Sequence, residues 1–346
     1  MVDHFVGGVR RPDGDVYLVT GSHGHLGSYI VEELARQKDN IQIICVDNLY
    51  NGNINNLKVA LSVAENKNIS LVPVLADVTD EAIMRETFST YRPNYVFHTA
   101  SYLTLDSNKY KSKSVKVNVY GGALLFELCL DFDVKKVVYS SSASVYGTPK
   151  LTPTEETHPF DDCKLLYGSS KVGLEYIAKS FMEFGLDIVG LRYFNVYGPR
   201  QSLSNVYTQI VPKWINAIAN KETITIYGNG NQTMDMIFGA DVGRANVAAM
   251  DNDDCKNMFI NVGTGFQTSV INLFDMISFR MKKLMGDVSI DVEYDQHDPN
   301  LVKRRCASVV KMHKYLGGHQ VSVDHGIDLT CKELYKKATE WQSHNG

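Results

Sequence analysis

Tyr167 and Lys171 stand four residues apart at the head of an amphipathic run, Val172 to Phe184. If that run is helical, both side chains share one face. A phenol is a weak base at neutral pH because its ordinary pKa is about 10. A cation held beside it favours the phenolate. A tyrosine so placed can take a proton from a sugar or alcohol hydroxyl. A second reactive stretch, Ser140-Ser141-Ser142-Ala143-Ser144-Val145-Tyr146-Gly147, follows the apolar run from Lys136. Its hydroxyls fall at the C-terminal end of a predicted strand, where one of them can donate to a reacting oxygen. A third stretch, Gly21-Ser22-His23-Gly24-His25-Leu26-Gly27, places glycines at G-x-x-G-x-x-G spacing between an apolar run and a helical pattern. Missing side chains there allow a tight turn and close approach of a pyrophosphate. The free N–H groups of the following helix then face the phosphates. The next strand ends at Asp47, 20 residues after Gly27, where a carboxylate can accept from the adenosine ribose hydroxyls. It would repel a 2′-phosphate, and no arginine follows in Asn48-Leu49-Tyr50-Asn51, so the pattern favours NAD over NADP. His23 and His25 lack a third ligand at plausible spacing, and no metal is expected.

These residues need a sheet to bring them together, and the pattern supplies one. Short apolar runs at Val16–Val19, Gln42–Val46, Ile69–Leu75, Tyr95–His98, Lys136–Ser140 and Ile188–Tyr193 alternate with helical stretches at Ile54–Ala64, Glu81–Tyr91 and Val115–Asp131. Such alternation predicts an α/β fold with a doubly wound parallel sheet of the Rossmann type. Small residues after the fourth run, Thr99-Ala100-Ser101, leave room for a cofactor at the strand ends. His98, just before them, reads as a core histidine. Beyond about residue 198 the pattern loosens into a smaller mixed α/β substrate lobe. The expected division is a polar extension over 1–14, an NAD-binding domain over 15–198 rejoined by 236–263, and a substrate lobe over 199–346. The chain's 346 residues, 44% hydrophobic and 21% charged, suit a soluble globular enzyme. A net charge of -4 gives no electrostatic case for nucleic acid or an anionic membrane. No window approaches a membrane span. Six cysteines without C-x-x-C or zinc-like spacing read as reduced thiols, so a cytoplasmic location is expected. The apolar surplus of Val115–Asp131 and Val172–Phe184 predicts a homodimer packed through a four-helix interface.

Taken in order, the glycine triad, Asp47, Asp77-Val78, the serine strand end, Tyr167-x-x-x-Lys171 and Arg192-Tyr193-Phe194-Asn195-Val196-Tyr197-Gly198-Pro199-Arg200 resemble the extended short-chain dehydrogenase/reductases, specifically the NAD-dependent nucleotide-sugar epimerase/dehydratase group. The resemblance covers roughly residues 15 to 316. It implies a bound NAD that is not consumed, with Ser142, Tyr167 and Lys171 catalytic. It places Gly21, His23, Gly24, His25, Leu26, Gly27, Asp47, Asn48, Asp77, Val78, Thr99, Ala100, Ser101, Asn118 and Tyr193 along the cofactor, beside Tyr167 and Lys171. It places Ser142, Ser144, Asn195, Gln209, Ile210, Val211, Tyr227, Arg304 and Arg305 toward the nucleotide sugar. The dehydratases of this group carry an Asp-Glu pair where this chain has Ala143 and Ser144. The serine stretch looks instead like that of the UDP-glucose and UDP-N-acetylglucosamine 4-epimerases. The resemblance therefore implies C4 epimerisation of a UDP-hexose, with a dehydratase or decarboxylase as the alternative fate of the same keto intermediate. A dinucleotide-binding regulator without turnover is the reading from another class. Two departures bear on the substrate. Met234 stands where the group carries an arginine on the diphosphate, and Arg304-Arg305 lie where that charge could be replaced or a sugar carboxylate held.

Overall fold

Continuous apolar runs make strands that can be buried on both faces, as the central ones here are, and seven runs line up in parallel. The computed structural model describes residues 14–160, 163–202, 209–286, 288–296 and 302–345. In chain order the first half comprises β1 (Val16–Thr20), α1 (His25–Gln37), β2 (Ile41–Asp47), α2 (Lys58–Ala64), β3 (Ile69–Leu75), α3 (Glu81–Tyr91), β4 (Tyr95–His98), α4 (Thr104–Lys109), α5 (Lys111–Val115), α6 (Gly121–Asp131), β5 (Lys136–Ser142), α7 (Leu166–Glu183) and β6 (Ile188–Tyr193). A π-helical turn, Lys116–Tyr120, joins α5 to α6. The second half comprises β7 (Asn195–Tyr197), α8 (Ile210–Ala219), β8 (Ile224–Tyr227), β9 (Thr233–Met234), β10 (Met236–Phe238), α9 (Gly239–Asp251), β11 (Met258–Val262), β12 (Thr268–Ser269), α10 (Val270–Met285), β13 (Val292–Asp295), α11 (Val310–Leu316) and α12 (Val323–Asn345).

The main sheet runs β3-β2-β1-β4-β5-β6-β11, all parallel. The order reverses between β1 and β4. At that switch point the strand C-termini diverge and leave a crevice. The glycine turn, Thr99–Ser101 and the end of β5 all border it. Ile30 and Leu34 of α1, Val242 and Ala245 of α9 and Met312 and Leu316 of α11 cover one face of the sheet. Phe88 of α3, Leu124, Leu125 and Leu128 of α6 and Leu174 and Ala178 of α7 cover the other. So α11, inside the stretch read as substrate lobe, packs on the dinucleotide-type sheet. The lobe has its own core, with Trp214 and Ile215 of α8, Ile226 of β8, Leu273 and Ile277 of α10 and Ile327, Cys331 and Leu334 of α12.

Two expectations change. The predicted long helix Val115–Asp131 is broken by the π-helical turn, a feature that re-aims side chains at functional sites. The apolar residues of α6 are spent on the sheet and on α7, not on an outer surface. What remains uncovered along this helix pair is Val115, Tyr120, Tyr176 and Phe184, all exposed.

Candidate active site

The N-terminus of α1 is built to receive an anion. Gly21 has φ +67°, and a Cβ there would stand 2.8 Å from the Ala100 nitrogen and 2.8 Å from Thr99 Oγ1. A Cβ on Gly27 would stand 2.1 Å from the Gly21 carbonyl oxygen. Only glycine lets the turn, the first helical residues and the end of β4 approach this closely. Thr99 Oγ1 donates to the Thr20 carbonyl at 2.7 Å, which locks β4's end beside the turn. Ala100 and Ser101 follow it, half-buried at the crevice.

Asp47, at the end of β2, accepts from the His23 backbone at 2.9 Å and the Leu49 backbone at 2.7 Å. Its carboxylate is thereby fixed at the rim of the glycine turn. Asn48 Nδ2 donates to Asp77 at 3.0 Å, and Asp77 also accepts from the Thr79 backbone and hydroxyl. Burial pushes the Asp77 carboxyl up, but the bonds from Thr79 and Asn48 outweigh it and leave the pKa below the ordinary value. Val78 packs its side chain on Tyr102 and Val117. His23 is buried, and burial lowers its pKa against the pull of Asp47. Burial, with Arg200 and Lys337 adding to it, lowers His25 to about 3. His25 is therefore a neutral ring within the turn, and Leu26 packs onto the sheet core. Burial also lowers His98 to about 3. Its ring sits 2.8 Å from Thr20 Oγ1, as a core histidine.

At the far end of the crevice, α7 carries Tyr167 and Lys171 on one face. Lys171 Nζ lies 5.7 Å from the Tyr167 ring centroid and donates to the Ser140 carbonyl at 2.8 Å. Ser142 hydrogen-bonds Tyr167, and its Oγ also accepts from the Ser144 backbone at 3.1 Å. Serine, tyrosine and lysine thus converge from β5 and α7. The causes of Tyr167's acidity differ from the sequence expectation. Burial raises the phenol above its ordinary value, while Ser142 and the charge of Arg305 pull it down. Lys171, largely desolvated and opposed only by Glu175, is lowered to about 8.

Other residues singled out from the sequence fall into three groups. Some are committed to the fold. Asn118, on the π-helical turn, bonds the Tyr102 N–H and carbonyl at 2.7 and 3.0 Å and Ser170 at 3.1 Å, so it stitches two loops and a helix together. The Tyr193 hydroxyl donates to Asn246 at 2.9 Å. Val211 is buried in the lobe core. Others face the site. The Asn195 amide oxygen is buried with no partner, and Arg305 is half-buried with Tyr167 and Cys163 as its charge neighbours. The rest are peripheral. Gln209 accepts from Gln201 at 2.6 Å, Ile210 is partly buried, Tyr227 is exposed at the end of β8, and Arg304 is exposed. Tyr207 and the stretch 297–301 lie outside the described residues.

Sequence reasoning missed Glu175. It lies on the buried face of α7 with Lys171, Leu174 and Ala178, and a carboxylate on such a face was the available signal.

A crevice at a strand-order switch point, a glycine turn with a rim carboxylate and a Ser-Tyr-Lys set define a dinucleotide-dependent enzyme of the Rossmann type. The chain belongs to the NAD-dependent epimerase/dehydratase family, whose model matches residues 17–263. It is 35% identical over 331 residues to a putative UDP-glucose 4-epimerase of Methanocaldococcus jannaschii, covering 95% of this chain and 98% of that one. Among solved structures, a UDP-glucose 4-epimerase of Thermotoga maritima with UDP-glucose superposes with TM-score 0.81 at 31% identity, covering 93% of this chain and 99% of the other. A UDP-N-acetylglucosamine 4-epimerase of Methanobrevibacter ruminantium in complex with UDP-N-acetylmuramic acid superposes with TM-score 0.82 at 31% identity, covering 94% and 99%. The cofactor is NAD. The close-packed glycine turn and the rim carboxylate of Asp47 fit its pyrophosphate and its adenosine ribose. Among the described residues no helix is long and apolar enough to cross a membrane.

Proposed function

We propose that this enzyme inverts C4 of a UDP-hexose. The observation that carries the reading is the convergence of Ser142, Tyr167 and Lys171 at the cofactor crevice without a carboxylate in the two positions after Ser142. Bound NAD supplies a hydride acceptor that is restored by the end of each turnover. Tyr167 takes the proton from the sugar 4-OH. Ser142 hydrogen-bonds the phenol and can relay that proton. Lys171 holds its charge against the Ser140 carbonyl, within reach of the crevice. Arg305 faces the phenol and favours its ionised form. Gly21, Gly24 and Gly27 hold the pyrophosphate, Asp47 the ribose, and Asn195 and Ser144 the sugar nucleotide. Elimination of water across C5 and C6 calls for an acid and a base beside the sugar. Ala143 and Ser144 supply neither, so elimination by that route is disfavoured and return of hydride to the keto sugar is the favoured step.

Arg305 supports a second reading of the substrate. Its charge lies by Tyr167, at the reacting sugar, which suits a hexose bearing a carboxylate. The domain division proposed is a sheet unit of 15–198 with 236–263 and α11, and a lobe made from the remainder after 198. We also propose a cytoplasmic homodimer. Among the described residues no cysteine is paired in a disulfide and five of the six are buried, and Val115, Tyr120, Tyr176 and Phe184 offer an uncovered apolar face.

The test is incubation of the purified protein with UDP-glucose, UDP-N-acetylglucosamine and UDP-glucuronate, with products resolved by mass and NMR. Unchanged mass with inverted C4 is expected. Loss of water or carbon dioxide refutes epimerisation. Tyr167→Phe should abolish turnover while NAD stays bound, and surviving activity would overturn the assigned base.

A further inference from the structure

We propose that Glu175 is a positioning residue of this reaction, whose carboxylate, gripped by Arg192, ties the end of β5 to α7 and so fixes Ser142, Tyr167 and the ammonium of Lys171 relative to one another. The proposal rests on the catalytic reading of Ser142, Tyr167 and Lys171.

Glu175 lies one helical turn beyond Lys171 and two beyond Tyr167, on the same face of α7. It is fully buried, at 0% exposure. A carboxylate cannot stay ionised there unless its oxygens are occupied. Oε1 accepts from Ser141 Oγ at 2.5 Å and from Arg192 Nε at 2.9 Å. Oε2 accepts from Arg192 Nη2 at 2.7 Å. The pair is bidentate, the geometry that fixes both partners most rigidly.

Ser141 sits between the two strand residues the chemistry uses. The carbonyl of Ser140 seats the Lys171 ammonium at 2.8 Å, and the hydroxyl of Ser142 meets Tyr167. Helix and strand are therefore joined twice, by Lys171 to Ser140 and by Ser141 to Glu175, on either side of one peptide. The clamp is itself anchored. Arg192 Nη1 donates to the Tyr146 hydroxyl and to the Glu156 carbonyl, each at 2.8 Å. Tyr146 in turn donates to Asn261 on β11 at 2.6 Å. The turn carrying Ser144 is thus fixed from beneath by the same network.

Charge adds to geometry. Glu175 is the carboxylate whose field reaches Lys171 and favours its protonated form. The other titratable groups about Glu175, Lys171 and Tyr167 are Arg192 and Tyr193 on β6, Tyr139 on β5, Tyr146 after it, His98 on β4, neutral, and Arg305, whose charge acts on Tyr167. A buried ion pair serving the fold alone can often be exchanged for neutral groups with little loss. This one cannot be exchanged without releasing a catalytic strand end and discharging the neighbourhood of Lys171.

The experiment compares Ser141→Ala, Glu175→Gln and the double variant Glu175→Gln/Arg192→Gln with wild type and with Tyr167→Phe. All are assayed as NAD-loaded protein on the UDP-sugar that wild type turns over. Ser141→Ala should fold normally and lose about tenfold in kcat with KM unchanged, as expected for one lost hydrogen bond. Glu175→Gln should lower kcat further and move the alkaline limb of the kcat profile down by about one pH unit, because Lys171 then loses its proton more easily. The double variant should recover unfolding midpoint lost by Glu175→Gln but keep the shifted limb. The proposal is overturned if kcat and the alkaline limb match wild type in Ser141→Ala and Glu175→Gln, or if the double variant restores both. Tyr167→Phe separates the two claims. An inactive Tyr167→Phe beside an indifferent Glu175→Gln removes only the positioning role, whereas an active Tyr167→Phe removes the catalytic reading beneath it.

Discussion

Lys171 should cost the fold stability at neutral pH, and replacing it with methionine should return that stability while abolishing turnover. The side chain is buried, at 3% exposure, and burial lowers its ammonium from an ordinary 10.5 to about 8. A folded-state pKa below the unfolded one means that the folded chain binds the proton less tightly. The penalty is fully present below pH 8, fades as pH rises from 8 to 10.5, and is gone above that. The difference corresponds to about 3 kcal/mol. Lys171→Met also forfeits the bond to the Ser140 carbonyl, worth about 1 kcal/mol. The expected net gain is about 2 kcal/mol at pH 7. The measurement is urea unfolding of wild type and Lys171→Met, freed of cofactor so that binding does not add to stability, at pH 7 and again near pH 10. Only the difference between the two proteins is read. Cys45, Cys255, Cys306 and Cys331, pushed up to about 11 to 12 by burial, destabilise both proteins alike as pH climbs past about 9. The gain should shrink toward zero or reverse at the higher pH. A variant less stable than wild type at pH 7, or a gain that does not change with pH, refutes the reasoning.

Two further predictions follow from surfaces around the crevice. Asp106 on α4 accepts from Tyr50 Oη at 3.3 Å and Asn51 Nδ2 at 3.4 Å, so it joins the loop after β2 to the far side of the cofactor crevice. Asp106→Ala should release NAD about tenfold faster, in line with one or two lost hydrogen bonds, and an unchanged release rate in a trapping assay would disprove the latch. Light scattering at micromolar concentration should give twice the chain mass, and Tyr176→Glu with Phe184→Glu should halve it. A wild-type monomer mass would rule out the dimer.

The strands were legible because most of their residues are apolar and, in the central strands, buried on both faces. Ile69–Leu75, Tyr95–His98 and Ile188–Tyr193 run in the structure as the apolar pattern reads. Helix α4 was not legible. Its buried residues are Asp106 and Ser107, held by hydrogen bonds to Tyr50 and to Ser114 at 2.6 Å, and such contacts leave no hydrophobic period behind. The pairing of β7 with β10 joins two three-residue strands about forty positions apart, too short for a pattern to register. At the site, motif position located Asn118 and Val211 near the crevice but said nothing of where their side chains point. Asn118 is consumed by the fold and Val211 by the lobe core. The Tyr167–Lys171 spacing foretold a shared helix face, yet not that the charge of Arg305, distant in sequence, would also pull on the phenol.

Met234 stands where the resemblance implies an arginine, and Arg305 is held close to it. Met234 is partly buried against the lobe core and pairs with Thr268 in β12, so the position expected to carry charge now carries packing. Its neighbours hold Arg305. Thr233 accepts from the Arg305 backbone at 3.1 Å and donates to the Lys303 carbonyl at 3.0 Å. Asp235, fully buried, accepts from the backbones of Thr264, Gly265 and Ala307 at 2.7, 2.9 and 2.9 Å and from the Thr264 hydroxyl at 2.7 Å. Arg305 is thus gripped through its own backbone and through Ala307, two residues on, by residues that flank position 234. It is held beside position 234, and its charge acts on the phenol of Tyr167. That guanidinium bears on the acidity of the base, and in the proposed reading also on the charge of the group the sugar presents beside it. Where Arg305 meets the sugar as proposed, substrate choice and Tyr167 reactivity are coupled. A substrate anion meeting Arg305 would weaken its pull on the phenol, so a carboxylated sugar should shift the acid limb of kcat to higher pH relative to a neutral one.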